Sequence, residues 1–154
     1  MRKGIQFAFC LLLPLMVGYI SGFFVETEGW YEQLQKPSWT PSGTLIMRVW
    51  ITLYLLMGVA FFAFLNSNTT TRQMRAGIVV FLFQLLLNFG WSFIFFYLQE
   101  PGWALTALVL LWVSILLTIV IFIRVSRLAG LVLLPYIGWA SFAGYLNYSI
   151  WQLN

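Results

Sequence analysis

Residues 30–58 read WYEQLQKPSWTPSGTLIMRVWITLYLLMG. The first half sets Trp30, Tyr31, Lys36 and Trp39 around two prolines, Pro37 and Pro41; the second is an apolar run bearing Arg48, Trp50, Tyr54 and Met57. Connecting segments usually carry small polar residues because they lie in water, so large rings gathered around prolines predict a loop folded over an apolar surface. The prolines fix φ at their own positions and hold their neighbours near extended geometry, which stiffens such a lid without hydrogen bonds. In the run that follows, Trp50, Tyr54, Met57 and Phe61 recur at steps of four, three and four, one helical stripe directly below the lid.

The rest of the chain sets the solvent. With 62% hydrophobic and 8% charged residues over 154 positions, and a mean hydropathy of +0.91, it is far more apolar than a soluble domain, where charges make up about 25%. Five apolar stretches, 5–24, 45–65, 77–98, 103–123 and 128–150, each hold about 20 residues, enough at ~1.5 Å per residue to cross a ~30 Å hydrocarbon core. The reading is all-α: an integral membrane bundle of five transmembrane helices, one domain over 1–154, with a lid loop over 25–44.

Five spans place the amino terminus, loop 66–76 and loop 124–130 on one face, which then holds Arg2, Lys3, Arg72, Arg75, Arg124 and Arg127. The other face has Lys36 and Arg48 as its cations and all four acids, Glu26, Glu28, Glu32 and Glu100. This six-to-two bias predicts a multi-pass protein of a bacterial cell membrane, amino terminus cytoplasmic and carboxyl terminus outside. Topology and attraction to anionic membrane lipid account for the net charge of +4, so no nucleic-acid partner is called for. Met1-Arg2-Lys3 before an apolar run has the look of a signal peptide, but the run is long and lacks a small-residue cleavage site, which predicts a retained helix. Within it, Pro14 predicts a kink, Cys10 reads as a small apolar residue, and Gly18 with Gly22 fits a close helix contact, including one between two copies of the chain.

Three further stripes complete the interior. On the third span Gln84, Asn88, Trp91, Ser92 and Phe95 share a face, and an amide in hydrocarbon costs a few kcal/mol unless bonded, so both amides should face inward. Pro101 is placed to start the fourth span after a very short turn, and that span reads chiefly as scaffold. The fifth carries Pro135, Tyr136, Trp139, Ala143, Leu146 and Asn147, with a small residue one turn from a Trp. Trp30, Trp39, Trp103 and Trp151, near helix ends, also fit an interfacial aromatic belt.

Chemistry is bounded by what is missing from the sequence. There is no histidine, no carboxylate within a span and no Ser or Cys with a base at hand, which excludes triads and metal hydrolases and predicts no metal site. Nor does a buried acid offer itself for proton-coupled export. A pocket of tryptophan, tyrosine and amide suits a large flat apolar molecule with polar edges. Were it a porphyrin, the lack of histidine favours a metal-free tetrapyrrole over haem, with Lys36 and Arg48 available to its carboxylates.

The ordered set Trp30-Tyr31, Lys36-Pro37-Ser38-Trp39-Thr40-Pro41, Trp50, Leu53-Tyr54, Met57-Gly58, Gln84, Asn88, Trp91, Gly102-Trp103-Ala104-Leu105, Pro135-Tyr136, Trp139, Phe142-Ala143 and Leu146-Asn147 resembles the TspO/MBR proteins, the tryptophan-rich sensory proteins related to the translocator protein or peripheral benzodiazepine receptor. The resemblance implies a five-helix bundle, often a homodimer, that binds tetrapyrroles such as protoporphyrin, and isoquinoline-carboxamide ligands of the benzodiazepine receptor, beneath the first loop. It implies light-dependent porphyrin degradation needing light and oxygen but no further cofactor, with tetrapyrrole transport or stress sensing as alternative roles. Carried onto this chain, the ligand-binding residues are Tyr31, Pro41, Ile46, Trp50, Tyr54, Asn88, Trp91, Trp139, Ala143 and Leu146, with Trp50 and Trp139 assigned to the porphyrin chemistry. Two departures stand out. Ser42 replaces a proline usual in the family, which should loosen the lid, and no cation follows Tyr148, which argues against cholesterol binding.

Overall fold

A computed structural model describes residues 2–25 and 29–154; Met1, Glu26, Thr27 and Glu28, two of the acids assigned to the lid face among them, lie outside the described residues. The described elements are helices: α1 (Arg2–Gly22), α2 (Trp30–Gln33), α3 (Gly43–Leu65), α4 (Thr71–Ser92) continued by a π-helical turn (Phe93–Tyr97), α5 (Pro101–Val125), α6 (Arg127–Leu131) and α7 (Leu134–Leu153). Five spans long and apolar enough to cross a membrane result, the third being α4 with its π turn and the fifth α6 with α7. This is the all-α, five-span bundle that hydropathy predicts.

The spans close into a ring, with α1 beside α3 and α4, α4 beside α5, α5 beside α6 and α7, and α6 returning to α3. Close approach of α1 and α3 depends on Gly58, where a Cβ would fall 2.7 Å from both the Cys10 carbonyl oxygen and the Leu11 Cα. Aromatic stacks fill the half of the bundle away from the lid: Phe61 on Phe81 and Phe64 on Phe122, each at 4.2 Å between ring centres. Large apolar residues such as Ile5, Phe9, Val79, Leu86, Val109 and Leu117 point outward, as a surface solvated by lipid allows.

Helix ends differ from the hydropathy boundaries where local chemistry overrides composition. α4 begins at Thr71, not 77, because Thr70 and Gln73 form a capping box that carries the helix past Arg72 and Arg75. The fifth span is broken at Val132–Leu133 since Pro135, at the start of α7, has no N–H to continue α6. By contrast α1 runs unbroken through Pro14. Ser42, where the lid enters α3, caps that helix, its Oγ accepting from the Leu45 N–H at 3.3 Å. At the end of the third span Gln99 turns the chain with a φ of 58°, and Pro101 opens α5 two residues later.

Candidate functional site

Below the lid, three spans are joined by one chain of side-chain hydrogen bonds. The Tyr54 hydroxyl on α3 donates to Asn88 Oδ1 on α4 at 2.6 Å, Asn88 Nδ2 donates to the Tyr136 hydroxyl on α7 at 3.1 Å, and that hydroxyl donates to Gln84 Oε1 at 2.9 Å. All four residues are buried, so each polar group has exchanged water for a protein partner. The Gln84 Nε2 amide is the exception, buried with no partner among the described residues.

Aromatic rings stand on this chain. Trp50 packs on Tyr54 at 5.7 Å and on Trp91 at 5.9 Å between ring centres, and meets Tyr136 edge-on at 6.3 Å. Trp91 is held in turn: its Nε1 donates to Asn147 Oδ1 at 3.1 Å, and Asn147 Nδ2 donates to the Pro101 carbonyl at 2.8 Å. Trp50, Tyr54, Asn88 and Trp91 are therefore brought together by the fold, with Tyr136 and Gln84 between them. Tyr136 was absent from the expected ligand set although it lies on the stripe of Trp139 and Ala143, one turn before Trp139.

Trp139 is placed differently. Its ring neighbour is Phe142, at 5.1 Å, and its buried Nε1 has no partner among the described residues. With Arg48, Thr52 and Pro135 it lines a groove of about 360 Å³ between α3 and α7. The two tryptophans assigned to porphyrin chemistry thus stand in separate ring clusters. Ala143 is buried in the central core with Tyr54 and Tyr136, whereas Leu146 joins Phe95 and Ile150 nearer the lid. Pro41 and Ile46 are half-buried where the lid enters α3 and belong to neither core cluster.

The lid rests on the bundle through its rings. Tyr31 meets Phe95 at 6.1 Å and Phe96 at 5.6 Å; Trp39 stacks on Tyr145 at 5.1 Å and touches Phe142 edge-on. Two aromatic files therefore descend from the lid, Tyr31–Phe95–Trp91–Trp50 and Trp39–Phe142–Trp139. The π turn enables the first by setting Phe95 and Phe96 side by side, 4.8 Å apart and edge to face.

Hydrogen bonds, which the proline argument did not require, also hold the lid. The Gln35 N–H donates to Asn154 Oδ1 at 2.9 Å, and Asn154 Nδ2 returns a bond to the Gln35 carbonyl at 3.0 Å. Lys36 folds back, its ammonium donating to the Tyr31 carbonyl and standing 4.2 Å from the centre of the Tyr31 ring. Burial pushes the Tyr31 phenol up, so it remains a neutral donor. Of the two cations on the lid side, Arg48 lines a groove beside the aromatic files.

A family model described as the TspO/MBR family matches residues 10–152, nearly the whole of this bundle. The chain belongs to the TspO/MBR family. It is 43% identical to the tryptophan-rich protein TspO of Chlorobaculum tepidum over 99% of this chain and 98% of that protein. It is 36% identical to protein CrtK of Rhodobacter capsulatus, over 87% of this chain and 84% of the relative. To the human translocator protein it is also 36% identical, over 93% of this chain and 86% of that protein.

Proposed function

We propose that this TspO/MBR protein binds a flat tetrapyrrole such as protoporphyrin, or an isoquinoline carboxamide, beneath the lid and promotes light-dependent breakdown of the porphyrin. The observation that carries the reading is the Trp50–Tyr54–Trp91–Tyr136 wall, rigidly backed by the Tyr54–Asn88–Tyr136–Gln84 chain. Ring faces supply stacking, and the unpaired Gln84 and Trp139 donors supply polar contacts in a dry setting. Arg48 is placed to meet a propionate at the groove mouth. Entry of a ligand requires the lid rings to lift, since Tyr31 and Trp39 rest directly on the helices.

In the photochemical step the porphyrin absorbs light, dioxygen is the terminal oxidant, and Trp50 and Trp139 exchange electrons with the excited ring. Their separate positions favour contact with two edges of one large ligand over a joint action on one atom. We further propose the cell membrane as location, with the arginine-rich loops cytoplasmic.

The test follows the absorption of free-base protoporphyrin with purified protein, first dark and then illuminated, for the wild type and for Trp50→Phe and Trp139→Phe. A dark band shift followed by a discrete product, lost in either variant that still binds, is the expected result. Bleaching like free porphyrin in all three overturns the photochemistry. Binding without conversion favours the second reading, a carrier or sensor at the membrane, a role consistent with the name of the human relative.

A further inference from the structure

We propose a second ligand site at the lid end of the bundle: an aromatic cage for a quaternary ammonium cation. A cavity of about 600 Å³ opens there between the lid, the turn after the third span, the start of α5 and the end of α7. Three indoles line it, Trp30, Trp103 and Trp151, together with the carboxylate of Glu100, and neither Lys nor Arg does.

The frame is fixed at the lid end of the bundle, where Asn147 and Phe95 also support Trp91. Gly102 lets α7 press in: a Cβ there would stand 3.1 Å from both Cε2 and Nε1 of Trp151. The Asn147 bond to the Pro101 carbonyl ties the same two helices together one turn away. Trp30 is braced edge-on against Phe95 at 5.8 Å. Glu100 occupies the N-cap position of α5, where an acid normally bonds the first-turn amides, yet its side chain makes no capping bond. Its carboxylate is free of that bond, exposed at the cavity's lining.

Chemistry then selects the occupant. Indole faces attract cations, most strongly those that shed water easily, and a carboxylate at the rim adds charge complementarity. A small divalent metal needs several oxygen ligands, which three indoles do not supply. An anion would be repelled by Glu100, and a neutral apolar molecule would gain nothing from that exposed carboxylate. A trimethylammonium group, with a positive charge spread over an apolar surface, satisfies both walls. Either free choline or the headgroup of a phosphatidylcholine lipid presents it. An interfacial belt of tryptophans would anchor to headgroups without any need for the acid.

The test uses the full chain in phosphatidylglycerol nanodiscs, with tryptophan fluorescence titrated by choline and by its uncharged isostere 3,3-dimethylbutan-1-ol. A saturable choline response at least about tenfold tighter than that to the isostere is expected, weakened roughly fivefold to tenfold by Glu100→Gln and abolished by Trp103→Leu. Both positions are exposed, and unaltered thermal unfolding confirms intact variants. Trp112→Phe, outside the cavity, leaves the response unchanged. In phosphatidylcholine nanodiscs a weakened response identifies the lipid headgroup as the occupant, and an undiminished one identifies the free cation. Equal responses to choline and the alcohol, or full affinity in Glu100→Gln, overturn the site.

Discussion

The ring of Tyr54 lies against the bare backbone of Gly18, so a Cβ built on Gly18 would strike Cε2, Cδ2 and Cζ of the phenol. The contact joins α1 to α3 and aims the Tyr54 hydroxyl at Asn88. Gly22, four residues on, meets nothing within 4 Å among the described residues. The small-residue pair read as a helix-contact face is thus divided, with Gly18 used inside the chain.

Gly18→Ala is accordingly expected to push the Tyr54 ring aside, at an overpacking cost of about 1–3 kcal/mol. Thermal unfolding in detergent should show the loss, and protoporphyrin affinity should fall with it as the Tyr54–Asn88 bond lengthens. Gly22→Ala is the control: with open space around it, it should be neutral or stabilise the helix by up to about 1 kcal/mol.

Asn88 sits at the centre of the buried chain, accepting from Tyr54 and donating to Tyr136. Asn88→Leu strands the Tyr54 hydroxyl and also removes the donor to Tyr136, so it should cost toward the top of about 1–3 kcal/mol, while Tyr54→Phe leaves only Asn88 Oδ1 without a donor and should cost toward the bottom of that range. The double variant should lose clearly less than the sum of the singles, since the shared bond is lost only once. Strict additivity in equilibrium unfolding would show that the bond carries no stability.

Much of this was legible from spacing. The stripes of Trp50–Tyr54–Met57–Phe61 and Gln84–Asn88–Trp91–Phe95 turn inward because polar and aromatic residues at helical steps have no other low-cost place in hydrocarbon. Spacing gives a face, however, and not a partner. It could not tell that Asn147 would hold Trp91, or that Trp139 would line a groove with Arg48 and take Phe142 as its ring neighbour, since both depend on how helices rotate on packing. The break before Pro135 was visible in principle, but an apolar average over 128–150 conceals it. The Gln35–Asn154 bonds join residues 119 apart in sequence and leave no local trace.

Those bonds make a further prediction. Asn154 offers Gln35 both a donor and an acceptor, as a strand neighbour would, and a third bond to the Ile150 carbonyl at 2.8 Å fixes its own rotamer. Asn154→Ala should release the lid locally without unfolding the bundle. Each lost bond is worth about 0.5–1.5 kcal/mol, so the Gln35 amide should exchange with solvent roughly tenfold faster while core amides are unchanged. Porphyrin should then enter and leave faster, with stopped-flow rates changing more than the equilibrium affinity.

Trp91 separates structural from ligand-binding roles among the tryptophans. Its N–H is committed to Asn147, which is committed to Pro101, so the indole fastens α4 to α7 and to the start of α5. Trp91→Phe keeps an aromatic face beside Trp50 but leaves the buried Asn147 Oδ1 without a donor, a cost of about 1–3 kcal/mol. Asn147→Ala leaves the Trp91 indole N–H without its acceptor, and a double variant should cost little more than the worse single. Trp50 makes ring contacts on one side of the same cluster and is half-buried, so Trp50→Phe should destabilise less than Trp91→Phe in thermal unfolding. For protoporphyrin conversion under light the order should reverse, with Trp50→Phe the more damaging. If Trp91→Phe instead abolishes conversion while leaving stability intact, the indole N–H of Trp91 acts on the ligand, and its bond to Asn147 is not what the helices depend on.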